Sequence, residues 1–175
     1  MGSISNDRSI PFHCAATMFG IQSSYSSALT EKRSSSMRPK QGEYGFYFLA
    51  IKIKIPSSGI YTIVCESGID TYGCLYNESF LPSSPYSKLI ATDDDSGSKR
   101  NFKLIANLPT TQSMILVVTT YNAEQTGVFK VTVYGPEKAI LTPYATIPLT
   151  TTSTSTTTKS TSTIMNTTKS RIGGR

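Results

Sequence analysis

The feature that most constrains this chain is a succession of short apolar runs, separated by turn residues, between Gly59 and Pro136. The runs are GIYTIVCES, IDTYGCLYN, KLIATDDD, NFKLIANL, SMILVVTTYN and GVFKVTVYGP. Turn signals that recur roughly every ten residues between short β-prone segments are typical of an all-β sandwich. No helical periodicity competes with this pattern, so we predict an antiparallel β-sandwich.

Alternation within the runs predicts which side chains face the core. In the segment before Pro56, a period of two separates residues expected to be buried from residues expected to be wet. The residues expected to be buried here and in two later runs are Tyr47, Leu49, Ile51, Ile53, Ile55, Tyr61, Ile63, Cys65, Phe129, Val131 and Val133. Those expected to be wet in the first segment are Phe48, Ala50, Lys52 and Lys54. SMILVVTT is apolar on both faces, which predicts a central strand covered on both sides.

Composition sets limits on the function. Charged residues make up 16% of the chain, and the formal net charge is +6. Much of the positive excess lies in the Ser-rich connector at 32–40 and in the tail, outside the predicted fold, so we predict no nucleic-acid partner. No run reaches the roughly 18 consecutive apolar residues of a membrane helix, which predicts no membrane span.

The two ends of the chain differ from the middle. Residues 1–20 lack the basic-then-apolar pattern of a secretory signal and are predicted to be poorly structured, so we expect an internal piece of a longer gene product or a mis-assigned start. Residues 137–175 are predicted to form a disordered tail, because from Thr146 onward almost every residue is Thr or Ser. Such tracts are typical of O-glycosylated, mucin-like stalks, with an unmodified linker as the alternative.

Two Asn-x-Ser/Thr triplets agree with an extracellular glycoprotein. They begin at Asn77, beside a predicted turn, and at Asn166, in the tail. We therefore expect the protein to be secreted or located at the cell surface.

The residues for catalysis are sparse. His13 is the only histidine and lies outside the predicted fold, so neither a Ser/His/Asp nor a Cys/His arrangement can be assembled in the core. The three cysteines show no CxxC spacing, which argues against a zinc site. We predict a protein that is not an enzyme and needs no cofactor, with calcium as the one alternative considered below.

Three motifs carry a resemblance to a known family: the run from Asp70 to Tyr76, the run Asp93 to Gly97, and the closing Gly127-Val128-Phe129 strand. In this order they resemble the bacterial pre-peptidase C-terminal domain, especially its diverged version beside Thr-rich linkers in invertebrate surface proteins. The resemblance covers residues 21–136. It implies a jelly-roll-like antiparallel β-sandwich with disordered termini and no catalysis of its own, from a family whose members accompany secreted proteases and in some cases bind collagen, carbohydrate or calcium.

Two cysteines depart from that family pattern. Cys74 stands where an aromatic residue is usual, and Cys65 lies where cysteine is not part of the pattern. In an antiparallel hairpin turning at Ile69 and Asp70, these cysteines would face each other, so we predict a disulfide between them. The alternative is two buried thiols.

The acidic run has two interpretations. Asp93, Asp94 and Asp95, joined by Asp70, would supply oxygen ligands for calcium. The alternative is an Asx-type turn in which these side chains accept local backbone hydrogen bonds and Gly97 supplies a special backbone angle.

Tyrosines are the candidate ligand-stacking residues. We predict a non-catalytic recognition or adhesion module that binds carbohydrate or extracellular matrix protein through Tyr72, Tyr76, Tyr86 and Tyr121. If these tyrosines merely cap the edges of the sandwich, the alternative is a structural spacer or stalk unit of a larger surface protein.

Overall fold

A computed structural model describes residues 20–31, 35–36 and 45–145 of the chain. Within these residues there are eleven strands and no helix. Their bounds are β1 (Ile21–Leu29), β2 (Ser35–Ser36), β3 (Phe46–Tyr47), β4 (Leu49–Lys54), β5 (Gly59–Ser67), β6 (Thr71–Asn77), β7 (Leu89–Asp93), β8 (Lys103–Leu108), β9 (Met114–Thr120), β10 (Gly127–Gly135) and β11 (Ile140–Pro143). None of the described segments is a helix that is long and apolar enough to cross a membrane.

Nine of the strands form two antiparallel sheets, and β2 pairs with β3 in a separate two-stranded sheet. One has four strands in the order β1-β10-β5-β8, and the other has five in the order β11-β4-β9-β6-β7. From β4 onward every connection passes from one sheet to the other, except the β6 to β7 connection within the five-stranded sheet. Two sheets joined in this way form a double-sheet jelly roll. The prediction of an all-β, jelly-roll-like sandwich is therefore confirmed.

The core between the sheets contains the residues that the alternation selected. Ile51, Ile53, Ile63 and Val131 are fully buried there. Strand β9 is buried along its whole length, as predicted for a strand covered on both sides. Each such aliphatic side chain contributes about 1.5–3 kcal/mol to folding, so this layer is the main source of stability.

A second apolar cluster lies on the outer face of the five-stranded sheet. It contains Phe48, Ala50, Tyr72, Cys74, Tyr76, Phe80, Ile115 and Val117. The 78–88 loop supplies Phe80, whose ring packs edge-on against Phe48 with ring centroids 5.2 Å apart and in a tilted arrangement against Tyr76 with centroids 4.8 Å apart. The expectation that Phe48 and Ala50 are wet is therefore wrong, because a loop covers the face that the alternation assigned to solvent.

Strand β11 lies beyond the predicted domain boundary. Ile140 to Pro143 pair with β4, and the Tyr144 N–H donates a hydrogen bond of 2.9 Å to the Ala50 carbonyl. The prediction of a disordered tail from 137 is wrong for this segment, because β11 satisfies the backbone groups along the edge of β4. Residues 1–19 and 146–175, with His13, Cys14 and Asn166, lie outside the described residues.

The predicted hairpin between Cys65 and Cys74 does not exist. Strand β5 pairs with β8 and β10, whereas β6 pairs with β7 and β9 in the other sheet. Cys65 packs in the core between the sheets and Cys74 in the outer cluster, so the disulfide prediction is wrong and both residues are buried thiols. Burial raises the pKa of the Cys65 thiol to about 11.

Candidate recognition surface

Two of the four predicted stacking tyrosines are buried. Tyr72 is 6% exposed and Tyr76 is 0% exposed, because both belong to the outer cluster. The Tyr76 hydroxyl donates a hydrogen bond of 2.9 Å to the Pro85 carbonyl, and burial raises the pKa of this tyrosine. Their prediction as ligand-stacking residues is wrong, since both rings are buried and are not available to a ligand.

The other two predicted tyrosines are exposed but far apart. Tyr86 lies in the 78–88 loop, which is fastened beside the start of β9 by a 2.8 Å hydrogen bond from the Glu78 N–H to the Ser113 carbonyl. Tyr121 follows the other end of β9, where its N–H donates to the Asp70 carbonyl. The seven residues of β9 span about 24 Å. The structure therefore does not bring these two tyrosines into one site.

The outer face of the four-stranded sheet is an exposed surface, which we call the open face. The outer face of the five-stranded sheet is covered by the 78–88 loop, whereas the outward side chains of the open face are mostly exposed or half-buried. They are Gln22, Ser24, Ser26 and Ala28 on β1, Val128, Lys130, Thr132 and Tyr134 on β10, Ile60, Thr62, Val64 and Glu66 on β5, and Lys103, Ile105 and Asn107 on β8.

Four apolar side chains are exposed on the open face, and one of them is Val128 on β10, which is 74% exposed. Tyr134 and Ile105 both lie in register with Thr62, on either side of it, so they are about 10 Å apart across the sheet. Ile60 is 67% exposed and lies opposite Asn107. A tyrosine and two isoleucines are thus set among hydroxyl and amide groups on a flat surface.

Sequence reasoning missed Tyr134. The sequence does indicate that this tyrosine faces outward, because it follows Lys130 and Thr132 at two-residue spacing in β10. The inward-facing residues of the same strand were predicted correctly.

A groove lies at one end of the sandwich, where Lys54 of the five-stranded sheet pairs with Ile140. It is lined by residues 54–56, 110–113, 138 and 140, and its volume is about 370 Å³. Three connections build it, namely those from β4 to β5, from β8 to β9 and from β10 to β11. We call it the end groove.

The acidic run forms a hydrogen-bonded turn. The Asp93 carboxylate accepts hydrogen bonds from the N–H and hydroxyl of Ser96 and from the Lys103 N–H. The Asp94 carboxylate accepts one from the Asp95 N–H. Among the described residues, no three His, Cys, Asp or Glu side chains are grouped to hold a metal ion, so the four-aspartate calcium set, including Asp70, is not assembled. Calcium binding itself stays a prediction.

Gly97 has a role other than the predicted one. The positive φ angles in this turn belong to Lys99 and Arg100, at 55° and 59°. A Cβ on Gly97 would lie 2.4 Å from the Asn101 carbonyl oxygen, so close approach of the backbone requires glycine there. Asn101 is itself buried, and its side-chain oxygen accepts a 2.8 Å hydrogen bond from the Thr71 hydroxyl.

The glycosylation triplet at Asn77 lies at the end of β6. Asn77 is half-buried and its backbone N–H donates to the Lys88 carbonyl. Its modification stays a prediction, as does that of Asn166.

No protein-family model and no curated protein matches this chain. Among solved structures, the chain is similar to the Yersinia pseudotuberculosis-derived mitogen, with 14% sequence identity and a TM-score of 0.42. The match covers 66% of this chain and 86% of that protein. At this level the likeness carries no argument about function.

Proposed function

We propose that this chain is a non-catalytic extracellular recognition module that binds carbohydrate on the open face. The observation that carries the proposal is the contrast between the two outer faces. One is sealed by the 78–88 loop, whereas the other presents Tyr134, Ile105 and Ile60 to solvent.

The chemistry of the open face suits a sugar. A pyranose ring offers an apolar face of C–H groups and a rim of hydroxyls, and a tyrosine ring offers an apolar body with a polar tip. Thr62, between Tyr134 and Ile105, and Asn107, opposite Ile60, supply hydroxyl and amide groups within reach of that rim.

Carbohydrate is favoured over matrix protein as the ligand. Stable protein interfaces bury about 800 Å² on each partner and concentrate aromatic and arginine side chains at their centre. The open face carries a single tyrosine, no arginine and several small hydroxyl residues among its described side chains. This composition fits a small polar ligand better than a protein.

The resemblance to the pre-peptidase C-terminal domain and the extracellular location belong to the same proposal. The Asn-x-Ser/Thr triplets and the Thr/Ser tract support a secreted or surface-attached glycoprotein, in which glycans are the abundant partners.

A glycan array followed by calorimetry tests the proposal. We expect Tyr134→Ala to weaken the binding of any glycan that the parent protein binds by about tenfold. Stacking of a sugar ring on the tyrosine ring, together with the apolar area that this contact buries, is worth about 1–2 kcal/mol. Tyr86→Ala and Tyr121→Ala are matched controls, since both rings are exposed but lie off the open face, and their affinities should equal that of the parent.

Two results would contradict the proposal. If Tyr134→Ala binds as tightly as the parent, the open face is not the site. If no glycan binds at all, the spacer or stalk function is favoured instead.

A further inference from the structure

Among the described strands, β1 is a sheet edge without the features that protect the other edges. Exposed edges carry unpaired backbone groups, and proteins protect them with short strands, prolines, lysines or bulges. Strand β11 is short and contains Pro143, β7 is short and has a register shift beside Leu75 and Tyr76, and the N–H of Lys103 on β8 donates to the Asp93 carboxylate. Strand β1 has nine residues in unbroken register with β10, and it contains no proline and no charged residue.

The hydrogen-bond pattern of the four-stranded sheet shows which backbone groups lie at this edge. The Cys65 N–H donates to the Phe102 carbonyl, so the odd-numbered residues of β5 bond to β8 and the even-numbered ones bond to β10. Through the registers of β10 with β5 and with β1, this alternation turns the odd-numbered residues of β1 toward β10. The backbone groups at the free edge are therefore the N–H and C=O groups of Gln22, Ser24, Ser26 and Ala28.

The sequence of β1 is close to a palindrome about Tyr25. It reads IQSSYSSAL, with two serines on each side of the tyrosine and an apolar residue at each end. Such a strand matches a second copy of itself that runs antiparallel. A two-fold register centred on Tyr25 sets Ser24 opposite Ser26 of the second copy, and it sets Gln22 opposite Ala28. All the free-edge residues are then used, in four pairs that exchange two hydrogen bonds each, which makes eight bonds.

The side chains that this register brings together are compatible. On the core side of the sheet, Ile21 meets Leu29 of the second copy and Tyr25 meets its own symmetry mate, and apolar and aromatic cross-strand pairs of this kind are stabilising. On the open face the opposed residues are serine, glutamine and alanine, and no charges are brought together. Eight hydrogen bonds lie within the range of about 10 ± 5 that protein interfaces carry.

We propose that β1 is a dimerisation edge, at which a second copy of this chain adds its own β1 antiparallel in the register centred on Tyr25. The interface is isologous, as a two-fold dimer requires. The two four-stranded sheets become one continuous sheet, and the two open faces become one surface that can engage a multivalent partner twice. This inference does not depend on the proposed carbohydrate function.

Sedimentation equilibrium of the full 175-residue chain tests the dimer, and two charge variants test its register. Ser24→Lys/Ser26→Lys sets lysines opposite each other across the two-fold axis, and Ser24→Glu/Ser26→Glu does the same with glutamates. Both serines are exposed, so each variant should keep the cooperative thermal transition of the parent. Ile105→Lys/Asn107→Lys is the matched control, because it adds the same charge at the same spacing to exposed residues of β8, the opposite edge of the sheet.

We expect the parent and the control to show twice the chain mass of 19.0 kDa at micromolar concentration. Each charge variant alone should dimerise about tenfold more weakly, since like charges directly opposite each other destabilise strand pairing. An equimolar mixture of the two charge variants should recover the dimer, because every lysine then faces a glutamate. In the parent, hydrogen exchange at the Ser24 and Ser26 amides should slow as the protein concentration rises.

A parent chain that stays monomeric throughout the micromolar range would overturn the inference. Fast exchange at the Ser24 and Ser26 amides would then show a free edge, and slow exchange would show that another segment of the same chain covers it. A dimer that persists in both charge variants, or a mixture that does not recover it, would equally exclude this edge and register.

Discussion

The packing of Tyr61 on Gly135 gives a sharp test of the sandwich. A Cβ added to Gly135 would lie 2.1 Å from two carbons of the Tyr61 ring. The ring cannot move away easily, because Tyr61 is 0% exposed and its hydroxyl donates a 2.9 Å hydrogen bond to the Ser57 carbonyl. We therefore expect Gly135→Ala to destabilise the protein through a steric clash between neighbouring strands.

The size of the effect follows from two contributions. Overpacking a well-filled core costs about 1–3 kcal/mol, and losing the Tyr61 hydrogen bond adds about 1 kcal/mol. Backbone strain adds nothing, since Gly135 has no positive φ. The free energy of unfolding should thus fall by about 2–4 kcal/mol.

Urea unfolding followed by circular dichroism measures this change. The midpoint should fall while the slope with denaturant stays constant, because the clash changes stability and not the surface exposed on unfolding. Gly68→Ala is the matched control: no atom lies within 4 Å of its added Cβ, so its stability should stay within about 0.5 kcal/mol of the parent or rise slightly.

A second variant separates the clash from other causes. In Gly135→Ala combined with Tyr61→Leu, the smaller side chain makes room for the new methyl group. The double variant should lose less stability than the sum of the two single variants. A Gly135→Ala protein as stable as the parent, or strictly additive losses, would refute the reasoning about this contact.

Three further predictions concern buried groups. The buried Thr132 hydroxyl has no hydrogen-bond partner among the described residues. Thr132→Val should therefore raise the free energy of unfolding by about 1 kcal/mol relative to the parent, whereas Thr132→Ser, which keeps the hydroxyl, should not. A valine variant that is less stable in urea unfolding would contradict this. Ile51→Asp should abolish the cooperative thermal transition, since it places a charge in the core, whereas Lys52→Asp on the same strand should retain it. Burial raises the pKa of Cys65 in the folded protein to about 11, above its value of about 8.5 in the unfolded chain. The contribution of the neutral thiol to the free energy of unfolding is therefore complete below about pH 8.5 and is lost as the pH rises toward 11. Cys65→Ala should lose less stability than the parent over that pH range in urea titrations, and identical losses would contradict the assignment.

The strands whose side chains alternate were predictable from the sequence. In β5 and β10 a period of two places Ile63 and Val131 in the core, and no distant segment alters that outcome. The fully apolar β9 was equally clear, because a strand without a polar face has to be covered on both sides.

The relations that depend on which strands pair were not predictable in this way. Residues 59–77 read as a hairpin, but the chain crosses from one sheet to the other at Gly68 to Asp70, which separates Cys65 from Cys74. Strand β6 is buried on both faces, whereas a strand of a hairpin at the edge of a sheet would have one face exposed to solvent.

The candidate site was predicted only in its residue type. Tyrosine was the expected ligand-stacking residue, but Tyr72 and Tyr76 are buried in the outer cluster. Phe80, which packs on Tyr76, comes from a loop whose path is not encoded in local periodicity. Lys54 and Lys138 of the end groove are 84 positions apart in the sequence, and the pairing of β11 with β4 brings them to one cavity.

The pairing of β11 with β4 determines how the domain would carry a mechanical load. The described chain enters the sandwich at Ile21, beside Gly135, and leaves it after Pro143, beside Ile51. Because β1 and β11 both start at the end that holds the groove, the exit lies at the opposite end from the entry. A force that pulls the two flanking segments apart would run along the strands, so the hydrogen bonds between β4 and β11 would be loaded together in shear and not broken one after another.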